Sequence, residues 1–257
     1  MILEFLNYAA THLLTGAASR PFIRSSVNLW SRANRCAKAW AAHEAATQSA
    51  IRAAMAGLKQ RRTVVVLGSG LLRDVPIADL ARNFDHVVLI DLVHLASVRL
   101  RLKARRYRNV RLVERDLSGY DALRAGGAAE PLAFLRQVPY LDLVVSANLL
   151  SQIGTGAKKR MEADRGPSAP ADALPKLITA HLEGLKQLGC AHCLITDISF
   201  RVIDRTGKLH QDMDLLYGVP PPPHAANWDW PVIPLGEDSK DYQVVHRVIA
   251  ASDRDLL

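Results

Sequence analysis

The sequence predicts an α/β fold, namely a doubly wound, mainly parallel sheet with a closing antiparallel strand and an N-terminal helical cap. From residue 63 onward, short apolar runs alternate with helical stretches, which is typical of parallel strands joined by right-handed crossovers. Residues 1–60 instead carry apolar positions at helical spacing. The chain has 257 residues, of which 49% are hydrophobic, and this suits one α/β domain with an added segment.

The N-terminal segment, residues 1–60, is predicted to form a cap of two or three helices, because Gly16 and Pro21 interrupt its helical pattern. Its first residues are apolar but include Glu4 and Asn7, which do not fit a secretory targeting segment. We therefore expect an amphipathic helix there. No apolar stretch reaches the roughly 18 residues of a membrane span, so no membrane association is expected.

The main domain, residues 61–257, contains five apolar runs short enough for strands that are buried on both faces. They are TVVVLGSG from residue 63, HVVLID from 86, NVRLVERD from 109, YLDLVVSAN from 140 and HCLITDISF from 192. A final run at residues 242–250 is predicted to close the sheet. Residues 154–172 are polar and contain Gly and Pro, which predicts an exposed loop. Residues 203–242 include four successive prolines and are predicted to be irregular.

A glycine-containing turn follows the first predicted strand, where Gly68, Ser69 and Gly70 precede a helical pattern. Glycine lets the backbone approach a ligand closely, and a following helix N-terminus offers free N–H groups. These features favour a nucleotide-like ligand. For GxG alone, an ordinary tight strand-to-helix turn is the alternative.

An acidic residue, Asp91, ends the second predicted strand about twenty residues beyond the glycines. At the carboxyl end of this strand, a carboxylate can accept hydrogen bonds from both ribose hydroxyls. The alternative is that Asp91 caps the next helix. A dinucleotide fingerprint has a small residue where this sequence has Arg73, so NAD is the weaker prediction.

With these motifs and this order of elements, residues 63–250 resemble the class I, Rossmann-like family of S-adenosylmethionine (SAM)-dependent methyltransferases. The resemblance implies that Gly68 and Gly70 lie beside the methionine part of SAM and that Asp91 holds the ribose. It also implies that Asp116 lies near the adenine amine, and that residues 146–153 form a wall of the active site. The expected function is methyl transfer from SAM, and the sequence identifies no general base.

Two positions differ from the family pattern. Val66 stands where the family often has an acidic residue, and Leu72 stands where it often has a third glycine. They leave open a non-catalytic SAM-binding or interaction protein of the same fold. An NAD(P)-dependent oxidoreductase is the further alternative, which Arg73 opposes.

Two polar residues follow later strands. Asn148 comes after the fourth predicted strand, where such enzymes place a polar group facing the sulfonium, and we include it among the cofactor-binding residues. A buried Asn that satisfies backbone groups is the alternative. Asp197 follows the fifth strand and is predicted either to contact substrate or to cap a turn.

Cysteine usage predicts neither a disulfide nor a metal site. The three cysteines are Cys36, Cys190 and Cys193, an odd number that favours a reducing, cytoplasmic location. The spacing of Cys190 and Cys193 is that of a zinc-binding pair, but no second pair lies near it.

The partners predicted from the sequence are small molecules or peptides. The formal net charge is +8, and eight basic residues lie between Arg99 and Arg115, which leaves nucleic acid as a minority hypothesis. Tyr107 is the single aromatic residue in that run, too few for base stacking. We expect the cap and the segment around Trp228 and Trp230 to enclose the substrate, with packing of these tryptophans in the core as the alternative.

Overall fold

The computed structural model describes residues 1–163 and 169–252. Its helices are α1 (Ile2–Leu14), α2 (Ile23–Arg35), α3 (Ala37–Ala56), α4 (Ile77–Asn83), α5 (Ala96–Ala104), α6 (Tyr120–Arg124), α7 (Leu150–Ala163) and α8 (Ala173–Lys186). Its strands are β1 (Thr63–Leu67), β2 (His86–Asp91), β3 (Val110–Glu114), β4 (Leu141–Ala147), β5 (Ala191–Asp204), β6 (Leu209–Asp214), β7 (Ala226–Ile233) and β8 (Tyr242–Ser252). Short 3₁₀ helices span Arg20–Phe22 and Ala133–Gln137.

The eight strands of the described residues form one mixed sheet in the order β3-β2-β1-β4-β5-β8-β7, and β6 pairs antiparallel with β5 off this path. The first five strands in this order are mutually parallel, whereas β8 runs antiparallel to both β5 and β7. This confirms the predicted doubly wound, mainly parallel sheet with a closing antiparallel strand. The strand order reverses between β1 and β4, which is where sheets of this kind open a ligand crevice.

The sheet is covered on both faces because its central strands alternate apolar side chains from one face to the other. In β1, Val64 and Val66 join the core on one face, and Val65 and Leu67 join the core on the other. The first face is covered by α3, α4 and α5, and the second by α7 and α8. All five side chains of β1 are buried, which explains why β1 is an unbroken apolar run.

Helix α1 turns its polar side towards the protein. The hydroxyl oxygen of Thr11 accepts a 2.8 Å hydrogen bond from the N–H of Ala96, and Oδ1 of Asn7 accepts one of 3.2 Å from Ser97. These residues begin α5, whose own N-cap makes no side-chain hydrogen bond, so α1 caps α5 from outside. The apolar residues of α1, among them Leu3 and Phe5, are consequently exposed.

Among the described residues, no helix combines the length and the apolar composition that a membrane span requires.

Two segments predicted to be irregular contain regular structure. In the predicted loop 154–172, residues 154–163 continue helix α7, and residues 164–168 lie outside the described residues. A Cβ on Gly154 would lie 2.3 Å from Cε2 of Tyr217, so this glycine permits close packing of the helix. The prediction was wrong because tertiary packing outweighs the low helix propensity of glycine.

The segment 203–242 likewise contains β6 and β7, which the prolines had led us to predict as irregular. Pro231 lies within β7, at a shift of register against β8, a position where a strand tolerates proline. The run of Pro220 to Pro223 precedes β7 and is itself irregular.

Candidate functional site

A cleft of about 460 Å³ opens at the carboxyl ends of β1, β2 and β3. The glycine turn after β1, Asp91 at the end of β2 and Asp116 after β3 all line it. The cap contributes a further wall, because Ser25 and Leu29 of α2 also face the cleft. This volume lies in the range of small-molecule sites.

The two glycines of the turn have left-handed backbone conformations. Gly68 has a φ of +71°, and a Cβ there would lie 2.8 Å from the carbonyl oxygen of Ala147. Gly70 has a φ of +48°, but an added Cβ would meet only the carbonyl oxygen of Gly68, at 3.8 Å. Gly68 is therefore required for the packing of β1 on β4, whereas the open side of Gly70 leaves room for a ligand.

No helix begins directly after this turn. The next helix, α4, starts at Ile77, so its N-terminal N–H groups do not belong to the turn, contrary to the sequence-based prediction. Arg73 turns towards the cap instead, and its Nε donates a 2.5 Å hydrogen bond to Glu44. Glu44 lies on α3 of the cap, and Gln48 of α3 donates a hydrogen bond to the carbonyl oxygen of Arg73.

Asp91 connects the end of β2 to the glycine turn. Its Oδ2 accepts a 2.7 Å hydrogen bond from the N–H of Gly70, and its Oδ1 accepts one from Leu92. Burial raises the pKa of Asp91, although these N–H donors and the nearby His94 oppose the shift. Each carboxylate oxygen has a second lone pair, which leaves acceptors for ribose hydroxyls.

The two positions that differ from the family pattern are both buried. Val66 is fully buried in β1, so this strand presents no carboxylate below the turn. Leu72 has a φ of +54°, the left-handed conformation that favours glycine, while its side chain is only 4% exposed. The backbone thus keeps a glycine-like conformation at this position, but its side chain belongs to the core.

Asp116 lines the cleft and is held by two neighbours. Its Oδ1 accepts a hydrogen bond from the N–H of Ser118, and its Oδ2 accepts one of 3.0 Å from Arg160 of α7. The Arg160 guanidinium also lies 4.4 Å from the ring centroid of Tyr120. Helix α7 therefore contributes a cation to the side of the cleft where the adenine was predicted.

Two other predicted cofactor residues do not line the cleft. Ser69 is fully buried, and its hydroxyl has no hydrogen-bond partner among the described residues. Asn148 is 7% exposed and has a φ of +50°. Its amide lies between Asp74, at 2.6 Å, and Nε2 of His43, at 3.3 Å. The structure therefore brings Gly68, Gly70, Asp91 and Asp116 together, and it places Asn148 in a separate polar cluster.

This polar cluster joins the cap to the sheet. The indole N–H of Trp228 donates to Nδ1 of His43 at 3.1 Å, and the ring of Trp230 stacks on His43 at 3.9 Å. Burial lowers the pKa of His43 to about 4, so the ring is neutral near pH 7. The cap and the segment around Trp228 and Trp230 therefore meet. Both tryptophans pack against the core, which was the alternative to enclosing a substrate, and neither lines the cleft.

A second chain of hydrogen bonds runs through β5 and β8. Oδ1 of Asp197 accepts a 2.5 Å bond from the hydroxyl of Ser151, and its Oδ2 lies 2.6 Å from Nδ1 of His246. All three side chains are largely buried. Sequence reasoning identified Asp197 but missed His246, because a single His in the apolar strand YQVVHRVIA gives no local signal.

The other candidates lie away from the cleft or within the core. His181 is fully buried, and its Nε2 lies 2.9 Å from the hydroxyl of Ser146. Cys190 and Cys193 lie at the start of β5, and the described residues contain no group of three or more potential metal ligands. Within the basic run, Arg99 pairs with Glu114 at 2.8 Å.

Comparison with known proteins gives weak structural likenesses. No protein-family model and no curated protein matches the chain. Among solved structures, it is similar to 1,6-didemethyltoxoflavin-N1-methyltransferase of Burkholderia thailandensis, with 15% identity, coverage of 91% of this chain and 90% of that chain, and a TM-score of 0.42. It is similar to a SAM-dependent methyltransferase of Aquifex aeolicus, with 13% identity, coverage of 79% and 89%, and a TM-score of 0.35. It is also similar to the N-methyltransferase NodS of Bradyrhizobium japonicum WM9, with 13% identity, coverage of 79% and 84%, and a TM-score of 0.33.

Proposed function

We propose that the chain is a SAM-dependent methyltransferase that acts on a small molecule or a peptide. The observation that carries this proposal is the convergence of Gly70, Asp91 and Asp116 on one cleft at the switch point of the sheet. These residues lie at or just after the ends of three neighbouring parallel strands, so a single nucleoside-containing ligand would span all of them.

The residues of the cleft fit SAM. The open side of Gly70 would take the methionine part, Asp91 would accept hydrogen bonds from the ribose hydroxyls, and Asp116 would lie beside the adenine amine. When bound, SAM supplies a methyl group on a positively charged sulfonium. The protein's own contribution is to position the acceptor and to exclude water from it.

The geometry opposes a dinucleotide. A pyrophosphate is typically bound by the N-terminus of a helix that directly follows the glycine turn, whereas α4 begins only at Ile77. The side chain of Arg73, at the position of the third small residue, pairs with Glu44 of the cap. These two features favour SAM over NAD.

A specific observation also favours a second candidate, a non-catalytic SAM-binding protein. Val66 and Leu72 place apolar, buried side chains at two positions where the resembled family often has an acidic residue and a glycine. Binding of SAM does not distinguish this candidate from an enzyme, because both would bind it. Turnover with a methyl acceptor distinguishes them.

We further propose that residues 1–60 act as a cap on a main domain of residues 61–257 and help to enclose the acceptor. Two contacts support this role, namely the α2 wall of the cleft and the stacking of His43 on Trp230. An enclosed site favours a small molecule or a short peptide over a long nucleic acid.

Calorimetric titration with SAM, S-adenosylhomocysteine and NAD tests the proposed function. We expect binding of SAM and S-adenosylhomocysteine with a Kd of roughly micromolar order, a free energy of about 8 kcal/mol, and no detectable binding of NAD. Binding of NAD without SAM would overturn the proposal. Incorporation of tritiated methyl groups into an acceptor would then separate the enzyme from the non-catalytic protein.

A further inference from the structure

We infer that His246, oriented by Asp197, is the general base for an acceptor with an ionisable O–H or N–H group. This inference rests on the proposed methyltransferase function and names the class of its substrate. It concerns the hydrogen-bonded chain of Ser151, Asp197 and His246, which lies beside the cleft rather than in its wall.

The geometry selects one tautomer of His246. Asp197 Oδ2 accepts from Nδ1–H at 2.6 Å, and Ser151 donates to the other carboxylate oxygen at 2.5 Å. The Asp197 carboxylate thus accepts hydrogen bonds on both of its oxygens. It selects the tautomer of His246 that has its proton on Nδ1 and its lone pair on Nε2. No described residue forms a hydrogen bond with Nε2, and this atom is not among the buried unpartnered atoms.

The charges around the ring support a proton acceptor. Burial raises the pKa of Asp197, but the hydrogen bonds from His246 and Ser151 outweigh it and leave the pKa below its usual value. Asp197 is therefore an anion that stabilises an imidazolium. Charged or titratable groups on the packed elements include His43 on α3, which is neutral. Arg201 of β5 and Arg247 of β8 both pair with Asp229 of β7, at 2.5 and 3.0 Å.

The position of the ring next to the cleft follows from the first turn of α7. Leu149 and Gln152 line the cleft, while Ser151 between them points to Asp197. On the strands, Ala147 at the end of β4 pairs with Ile195 of β5, and Asp197 follows two residues later. His246 pairs with Phe200 of β5, so the base lies beyond the carboxyl ends of β1 and β4, where β5 and β8 continue the sheet.

The surroundings of His246 suit a small, flat acceptor. The ring lies 5.4 Å from that of Phe200 and 5.9 Å from that of Trp230. In the neighbouring polar cluster around His43, two buried polar atoms, Nε1 of Trp230 and Oδ1 of Asn148, have no hydrogen-bond partner among the described residues. Buried polar atoms are normally hydrogen-bonded.

In the proposed step, His246 accepts the proton that the acceptor loses during methyl transfer. A phenol O–H bond, or an N–H bond of the ammonium form of an amine, breaks in the acceptor, and its proton passes to Nε2 of His246, which becomes an imidazolium paired with Asp197. The lone pair freed on the acceptor forms the new bond to the methyl carbon, the C–S bond breaks, and its electron pair stays on sulfur. The imidazolium then returns its proton to solvent.

The variant His246→Asn tests the step, because an Asn amide can still donate to Asp197 while Nε2 is lost. Transfer from tritiated SAM is measured for a panel of phenols, primary amines and carboxylic acids over a range of pH. For phenols and amines we expect kcat to fall by about 100-fold or more and to lose its dependence on pH. The KM for SAM is expected to stay unchanged.

His210→Asn is the matched control, because His210 forms a similar pair with Asp204 at 2.7 Å on an exposed hairpin. It should leave both kcat and SAM binding unchanged. Equal kcat in His246→Asn and the parent would overturn the inference, and so would transfer confined to carboxylic acids, which are already ionised. If the parent protein fails to bind SAM in calorimetry, it is the proposed function that fails.

A second measurement requires no acceptor. Nitrogen-15 NMR of the imidazole rings reports which ring nitrogen carries the proton, with His246→Asn used to assign the signal. We expect the neutral His246 ring to be protonated on Nδ1, and Asp197→Asn to weaken this preference. A neutral His246 ring with its proton on Nε2 in the parent protein would overturn the inference. This NMR result decides even if no compound of the panel is methylated.

Discussion

Asp91 accepts a 2.7 Å hydrogen bond from the backbone N–H of Gly70, and this bond ties the end of β2 to the turn that follows β1. The same carboxylate faces the cleft. Its remaining acceptor capacity is therefore directed to a ligand.

Replacing Asp91 by Ala should weaken SAM binding by at least about tenfold, because hydrogen bonds to a charged acceptor contribute about 1.5–3 kcal/mol each. Calorimetry measures the affinity, and circular dichroism checks the fold. Asp85→Ala is the matched control, since Asp85 is exposed in the turn before the same strand. Equal affinity of the Asp91 variant and the parent would remove the ribose assignment.

The two turn glycines should respond differently to Ala. Gly68→Ala should lower the free energy of unfolding by about 2 kcal/mol or more, because the methyl group would lie 2.8 Å from a backbone oxygen at a positive φ. Gly70→Ala should cost about 1 kcal/mol or less but reduce SAM affinity. Urea unfolding and calorimetry on both variants test this, and similar profiles would contradict it.

Leu72 provides a test of backbone conformation against core packing. Leu72→Ala should destabilise the protein by about 2–5 kcal/mol through loss of buried side chain. Leu72→Gly removes one more carbon but relieves the positive φ, so it should be the more stable variant by about 1 kcal/mol. The order of the urea unfolding midpoints of the two variants shows which is the more stable. A more stable Ala variant would show that the conformation changes on substitution.

The external cap on α5 should be measurable at Thr11. Thr11→Val keeps the shape of the side chain but removes the acceptor for the N–H of Ala96, which should cost about 1 kcal/mol of stability. Thr179→Val, at an exposed position in α8, is the control for the chemical change. Equal urea midpoints of the two variants would mean that α1 does not cap α5.

His181 should make stability depend on pH. Burial lowers its pKa from 6.5 to about 4, so the unfolded chain binds the proton more readily than the folded protein does. This contribution is complete above pH 6.5 and is lost as the pH falls towards 4, by up to about 3 kcal/mol. Urea unfolding at several pH values should show a shallower decline for His181→Asn than for the parent. An identical slope would place His181 in a more hydrated site.

The residues of the cleft that sequence analysis identified, Gly68, Gly70, Asp91 and Asp116, are those whose roles depend on local chain order. Each lies at or shortly after the end of a strand, and parallel strands bring their carboxyl ends to one edge. Asn148 was predicted on the same grounds, but its left-handed backbone places its amide between Asp74 and His43. Its assignment to the cofactor remains a prediction.

The amino-acid sequence by itself determined the parallel sheet, its closing strand and the glycine turn, because apolar periodicity and turn residues act over a few neighbouring positions. Only the tertiary structure decided that residues 154–163 continue a helix, that β6 and β7 form, and that His246 meets Asp197. The last contact joins residues 49 positions apart in the sequence. Such pairings depend on the register between β5 and β8, which no local pattern specifies.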